Sequence, residues 1–328
     1  MPVGDPAGPT RGQAAGRKWR QTSRGLYVPA TVTDDVVEQR IMEQASRLPE
    51  GGAITGWAAL RLAGGNYFDG LEADGKTRVP VPLAVGQGSG MRSGRGAVVS
   101  SEPLPADAVR EIAGIPCVRP VRALFDEVRR LGDVREGCVA IDMAAAARLV
   151  AIWQLSDFLH EHRSWRRSRI VDGALCLADE RSRSPAEPRM RNIWILDAGL
   201  PVPRSNRPVF DLEGNHLGTP DLLDVTAGVV GEYDGAVHLK TSKRGKDIAR
   251  EERFRSAGLE YFTVVGSDLH DIDLVVRRMQ RTRERSLQTG RERRWTTTAP
   301  PGWEEELTYG EELRFRAWQR QLDGLEPL

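Results

Sequence analysis

Apolar residues recur at two different spacings along this chain of 328 residues, and the change of spacing divides it. In the amino-terminal half, residues 34–48 follow a helical period. Thr55 stands where an N-cap belongs, ahead of a second helix over 56–62 that a Gly-Gly pair ends. Residues 79–85 and 97–99 are short apolar runs bounded by glycine and predict strands. After Gly114-Ile-Pro116 and Arg119-Pro120, the positions Ala123, Leu124, Val128 and Leu131 return to helical spacing. A further helix over 136–155 carries an alanine stretch, 144–147, suited to close packing. No catalytic constellation stands out in this half. His160 and His162 lie among Glu161, Arg163, Arg166 and Arg167, the composition of a solvated helix face.

The carboxyl-terminal half is more regular. Ser184-Pro-Ala-Glu187 has the capping-box spacing with proline at the first helical position, and Ile193, Trp194, Leu196 and Leu200 continue a helix to about residue 199. Strand patterns follow over 207–212, 216–223 and 229–233, with Glu213-Gly-Asn215 as a hairpin connection and 224–228 as the next. A helix over 242–257 stops at Gly258, a fourth strand covers 261–265, and a last helix covers 267–287. The order is α-β-β-β-α-β-α. Its third and fourth strands, joined through a helix, should run parallel with a right-handed crossover.

Composition changes this picture only locally. Hydrophobic residues make up 40% of the chain and charged residues 28%, ordinary for one or two buried cores. Lys and Arg number 47 against 46 Asp and Glu, which excludes a uniformly basic coat. The first 29 residues hold Arg11, Arg17, Lys18, Arg20 and Arg24 against Asp5 alone, and their glycine and proline predict a basic flexible arm over 1–30. Cys117, Cys138 and Cys176 lack C-x-x-C spacing, so neither a disulfide framework nor a structural zinc is expected, and a reducing cytoplasm is the expected compartment. No apolar run approaches the roughly 18 residues that span a bilayer, and the amino terminus has no apolar leader core, so no membrane partner is expected.

Candidate chemistry lies with three acids. Asp221 follows a proline near the end of the second strand, and Glu232 and Asp234 end the third, so they converge at one edge of adjacent strands. Residues two apart on a strand point the same way. Crowded carboxylates repel unless they share a cation or a proton, and oxygen donors suit Mg²⁺ or Mn²⁺. The plainer alternative makes Asp221 and Asp234-Gly235 turn residues. His238 follows, and residues 240–295 hold 15 Lys and Arg against 9 Asp and Glu. A carboxylate-held metal bordered by cations is what a phosphodiester substrate needs, since the metal activates water while cations hold flanking phosphates. Lys243, Lys246 and Arg250 share one helical face and suit DNA phosphates; Asp247 could instead pair with Arg250.

These residues carry a family resemblance. Ser184-Pro-Ala-Glu187, Thr219-Pro-Asp221, Val230-Gly-Glu232-Tyr-Asp234-Gly235 followed by His238, Asp247 with Arg250, and Gly258 resemble the Vsr-like domain of unknown function common in actinobacteria. That group resembles a branch of the PD-(D/E)xK restriction-endonuclease-like superfamily, whose core has the same α-β-β-β-α-β order. The resemblance covers about a third of the chain, 181–290. It implies an Mg²⁺- or Mn²⁺-dependent DNA endonuclease, acting in repair or defence. Asp221 and Glu232 would be metal ligands and Glu187 the acid from the first helix, with helix capping as the alternative for Glu187. Asp234 stands at the superfamily's lysine position, so Asp234 or His238 would orient or deprotonate water. His238 has an ordinary polar role at a helix entrance as its own alternative.

The amino-terminal half resembles the AbiEi family of antitoxins and regulators at Arg24-Gly-Leu-Tyr-Val-Pro29, Thr55-Gly-Trp-Ala-Ala-Leu60, and Gly114-Ile-Pro116 with Arg122-Ala-Leu-Phe-Asp126. This implies an AbiEi-like mixed α/β domain over 31–180. A complete winged helix, with which that family commonly begins, is not expected ahead of Arg24. It also supplies a rival function, a non-catalytic antitoxin or transcriptional regulator with a cognate toxin or protein partner on a degenerate nuclease fold. Residues 291–328 read as an acidic, partly disordered tail.

Overall fold

A computed structural model describes residues 1–72, 74–94, 96–235 and 241–322, without the side chains of 241–247. The chain is mixed α/β, with 40% helix and 18% strand. Its elements gather into two units, Met1–Gly132 with Ala147–Val171, and Asp133–Ala146 with Asp172–Leu328. No helix among the described residues is long and apolar enough to cross a membrane.

In the first unit, α1 (Arg11–Ala14) precedes an antiparallel hairpin of β1 (Trp19–Ser23) and β2 (Leu26–Pro29). The segment expected to be a flexible arm is therefore structured. Arg20, one of its cations, donates to the Val32 carbonyl at 3.0 Å and pairs with the buried Glu43 of α2 (Val37–Ala45).

The central sheet comprises β3 (Ala53–Ile54), β4 (Val81–Ala84), β5 (Ala97–Ser100), β6 (Val109–Ile112) and β7 (Ile115–Val118), ordered β5-β4-β3-β7-β6. The β6-β7 hairpin was not expected. Its two-residue turn is Ala113 at φ 50° and Gly114 at φ 78°, a backbone that Asn-Gly usually signals, and Pro116 inside β7 argues locally against a strand.

Helix α3 (Gly56–Leu62) forms over the expected residues, but Thr55 does not cap it. The Thr55 hydroxyl donates to Asp126 Oδ2 at 2.6 Å, and the Trp57 amide is capped by Glu127 at 3.1 Å. Both acids come from α4 (Pro120–Leu131), which buries Ala123, Leu124, Phe125 and Val128 and ends at left-handed Gly132. The helix expected over 136–155 is two helices, α5 (Val134–Ala146) and α6 (Ile152–Glu161), with Arg148 between them at φ 58°. His162 stacks on Phe158 at 4.0 Å and meets Trp165, so it packs rather than lying solvated.

Helix α7 (Ser168–Leu175) leads into the second unit, where α8 (Ala186–Asn192) continues as a π-helical turn, Ile193–Asp197. Strands β8 (Arg204–Ser205), β9 (Val209–Asp211), β10 (His216–Gly218), β11 (Leu222–Asp224) and β12 (Val229–Asp234) follow. Then come α9 (Thr241–Ser256), β13 (Glu260–Val265), α10 (Ile272–Thr289), β14 (Trp295–Thr296) and α11 (Tyr309–Leu322). The main sheet has the order β13-β12-β11-β8, with β12 and β13 parallel as the connection through α9 requires. The strand expected over 216–223 breaks at Thr219-Pro220 into β10 and β11, which join different sheets because proline cannot donate to a ladder. The segment expected as a partly disordered tail supplies β14 to the small β10-β9-β14 sheet, and the Gly310 amide of α11 donates to Glu180 at 2.8 Å.

The main sheet buries both faces. Tyr233 and Val229 of β12 join Met190, Trp194, Phe262 and Val275 on one face, while Val230 joins Phe254, Leu259 and Trp295 on the other. Gly231 is required by this packing, since a Cβ there would lie 2.3 Å from the Phe262 ring. Helix α5, expected in the amino-terminal domain, belongs to this unit. Its buried Asp142 accepts from Arg191 of α8 at 2.6 Å and from Ser182 at 2.6 Å, and burial pushes the Asp142 carboxyl up to about 6.

Candidate active site

Strand register brings two of the expected acids side by side. Leu222 pairs with Gly231 across β11 and β12, so Asp221, one residue earlier, lies alongside Glu232, one residue later. Asp221 Oδ2 accepts the Tyr233 amide at 2.7 Å, a tie that fixes the carboxylate against the end of β12. Burial pushes the Asp221 carboxyl up to about 6, the charge of Glu187 pushes the same way, and Arg250 and Arg183 oppose it.

Glu187 is buried on the first turn of α8 and stands within the field of Asp221. Its Oε2 accepts the Arg183 amide at 2.9 Å and the Asn206 side-chain amide at 2.6 Å. The reach-back to a main-chain amide is present, but to Arg183 instead of the Ser184 amide of a regular capping box, and Pro185 occupies the N-cap position without a side-chain cap. Asn206, in a left-handed backbone at φ 45°, also donates to the Arg181 carbonyl at 2.9 Å. Asn and Asp tolerate this conformation better than most residues. Nothing local in the sequence marks Asn206 as a partner of Glu187, because the contact spans 19 residues.

Glu232 is 7% exposed on the α9 face of β12 and forms an ion pair with Arg250 of α9. This corrects the expectation that Arg250 stands ready for a DNA phosphate. Its stem packs over Gly218, where a Cβ would lie 3.4 Å from Arg250 Cδ. Glu232 also acts on Tyr261, whose hydroxyl is pushed up to about 12 by burial, with the Glu232 charge adding.

Asp234 is exposed at the end of β12 on the same face as Glu232. The structure thus sets Asp221 beside Glu232 by register and within the field of Glu187, and leaves Asp234 exposed at the end of β12. His238 lies outside the described residues. Lys243 and Lys246 fall in the first turns of α9, with side chains outside the description. Among the described residues, no three His, Cys, Asp or Glu side chains form a group poised to hold a metal ion. Burial pushes the Cys117 and Cys138 thiols up to about 12, which disfavours their thiolates.

Comparisons with protein-family models, with curated proteins and with solved structures match nothing to this chain.

Proposed function

We propose that this chain is a metal-dependent DNA endonuclease, with a restriction-endonuclease-like second unit resembling Vsr-like domains and an AbiEi-like first unit, working in the cytoplasm in repair or defence. The observation that carries this reading is the register that sets Asp221, one residue before β11, alongside Glu232 of β12, with Glu187 in the field of Asp221. The donors fit a hard divalent cation in kind. Asp221 is a half-buried carboxyl raised partly by a second acid, and a cation beside it would relieve the repulsion.

Asp221 and Glu232 would hold Mg²⁺ or Mn²⁺, with Glu187 assisting. The bound ion would polarise the scissile phosphate and make a water more acidic. The chain's own residues orient the site: the Tyr233 amide steadies Asp221, the Arg183 amide and Asn206 steady Glu187, and Arg250 holds Glu232. Asp234 or His238 would orient or deprotonate the attacking water. Lys243 and Lys246 would steady flanking phosphates.

The experiment is nicking of supercoiled plasmid with Mg²⁺ or Mn²⁺ by the wild type, Asp221→Ala and Glu232→Ala. Cleavage that needs the metal and is lost in both variants supports the reading. Binding without nicking under either metal favours the second reading, an AbiEi-like antitoxin or regulator that uses the fold as a platform. Two observations favour that rival: Arg250 already pairs with Glu232, and an acid stands at the superfamily's lysine position.

A further inference from the structure

The first unit carries a charged cleft that plays no part in the acid cluster. It lies between β5, the edge strand of the central sheet, and the carboxyl-terminal half of α4, with a volume of about 430 Å³. Its floor is apolar, built from Pro82 and Leu83 of β4 and Val98 and Val99 of β5. Val98 is 39% exposed, so the floor is open to solvent. Ser100 and Ser101 add hydroxyls along one side.

The wall is cationic, with Arg129, Arg130, Arg166 and Arg167. The acids lining the cleft are Glu102 and Asp126, and both are engaged: Arg129 pairs with each of them, and Asp126 also takes the Thr55 hydroxyl and Arg122. Arg130 pairs with Glu127 at 2.7 Å. Arg166 and Arg167 are exposed, and no ion pair joins either to a carboxylate among the described residues. The cleft therefore keeps a positive excess after its internal pairs are formed.

Behind the wall the charges are settled, which leaves the exposed pair, Arg166 and Arg167, to meet an arriving anion. Arg122, behind the wall, is 2% exposed, and its Nη2 makes no hydrogen bond; Glu102 Oε2 stands 3.6 Å away. The rest of that guanidinium is satisfied, Nε by Asp126 at 2.9 Å and Nη1 by the Pro103 carbonyl at 3.2 Å, so Arg122 holds the two cleft acids from behind. Arg167 adopts φ 62°, a left-handed backbone uncommon for arginine, and such residues gather at binding sites. The turn is held there by contacts to α4: Arg129 Nε donates to the Arg166 carbonyl at 2.6 Å, and Arg167 Nη1 donates to the Arg129 carbonyl at 3.3 Å. Trp165 lies 4.3 Å from the Arg122 guanidinium and 5.4 Å from that of Arg129, which fixes both planes.

We propose that this cleft binds a nucleotide unit, with the base on the Val98 and Val99 floor and the phosphate on Arg166 and Arg167. Planar guanidinium groups match phosphate oxygens, and an apolar floor beside them accepts a ring that phosphate alone would leave uncovered. The source of the unit is either a free mononucleotide or a residue of a single DNA strand. None of these residues belongs to the second unit, so the proposal stands or falls apart from cleavage.

The test is calorimetric titration of the full chain, with EDTA present, using thymidine monophosphate, octathymidylate and inorganic phosphate. The wild type is compared with an Arg166→Ala, Arg167→Gly variant, glycine being chosen to keep the left-handed backbone. Nucleotide ligands should bind more tightly than phosphate, and the variant should weaken them at least about tenfold with an unchanged Tm. For octathymidylate, the log-log salt slope should shrink by about 1.4, two single-strand contacts at about 0.7 each. Tight binding of thymidine monophosphate assigns a free nucleotide, and binding confined to octathymidylate assigns a strand. Val98→Asp, which puts a carboxylate on the floor, should weaken the same ligands. Should the double variant perturb α4, Arg166→Glu alone reads the same contact from an exposed position. Wild-type affinity in these variants, nucleotide affinity no better than that of phosphate, or no binding of either nucleotide ligand overturns the proposal.

Discussion

Arg250 of α9 pairs with Glu232 of β12, so the carboxylate assigned to a metal already holds a cation supplied by the chain itself. The pair is half sheltered, with the Glu232 side chain 9% exposed and that of Arg250 33%. A guanidinium and a divalent ion compete for the same oxygens, and the competition is measurable. Arg250→Met keeps an apolar stem over Gly218 and removes the charge. It should tighten Mn²⁺ binding at least about tenfold, or about 1.4 kcal/mol. It should also lower the metal-free Tm, which added Mn²⁺ should restore. Unchanged Mn²⁺ affinity by calorimetry would show that Arg250 does not contend for the site.

Asp221 predicts a pH dependence of definite sign. Its carboxyl rises from the ordinary 3.8 to about 6, so through roughly pH 4 to 6 the folded chain keeps a proton that the unfolded chain has lost. Stability contributed by this group is therefore greatest below about pH 4 and falls as pH rises through 6. Asp221→Asn keeps an acceptor for the Tyr233 amide. It should exceed the wild type above pH 6 by about 1–3 kcal/mol and match it below pH 4, at about 1.4 kcal/mol per pH unit of raised pKa. Denaturant curves at the two pH values check this. The same variant should lose Mg²⁺-dependent nicking.

Glu187 separates architecture from charge. Glu187→Gln retains an oxygen able to accept from the Arg183 amide and from Asn206, so its Tm should stay within about 2 °C of the wild type. Loss of the charge should also bring the Asp221 carboxyl down, read by NMR titration. Weaker Mg²⁺ binding and lost nicking at unchanged Tm assign Glu187 to the metal; full activity confines it to helix initiation.

Arg191 and Asp142 predict where the second unit can be cut. Arg191→Met leaves Asp142, which is fully buried, without its cation and should destabilise by about 3–5 kcal/mol. A chain starting at residue 181 lacks α5 altogether and should fail to give a cooperative unfolding transition. A sharp transition from that fragment would show α5 to be dispensable.

Lys243 and Lys246 address duplex binding. Replacing both by alanine should reduce the log-log salt slope on duplex DNA by about 1.8, two contacts at about 0.9 each. An identical slope in wild type and variant removes them from the phosphate interface.

Much of the second unit is legible in the chain because its signals are local. Strand alternation puts Glu232 and Asp234 on one face, and the helix between β12 and β13 makes those strands parallel. What the linear pattern misses depends on partners distant in sequence. Glu187 reads as a capping acid, yet its second partner is Asn206, and Thr55 reads as a cap, yet its hydroxyl serves Asp126 across 71 residues.

By itself, the sequence determined the β12-α9-β13-α10 succession of the second unit, the helices over 56–62 and from Pro120, and which acids share a strand face, since each follows from spacing along one element. Only the tertiary structure decided that 216–223 divides between two sheets, that α5 joins the second unit, that an arm and a tail take regular structure, and that Arg250 belongs to Glu232. The physical reason is the same for each. A buried charge or an unpaired strand edge is satisfied by whichever group the fold brings near, and that proximity is a property of packing between elements, not of any period within one.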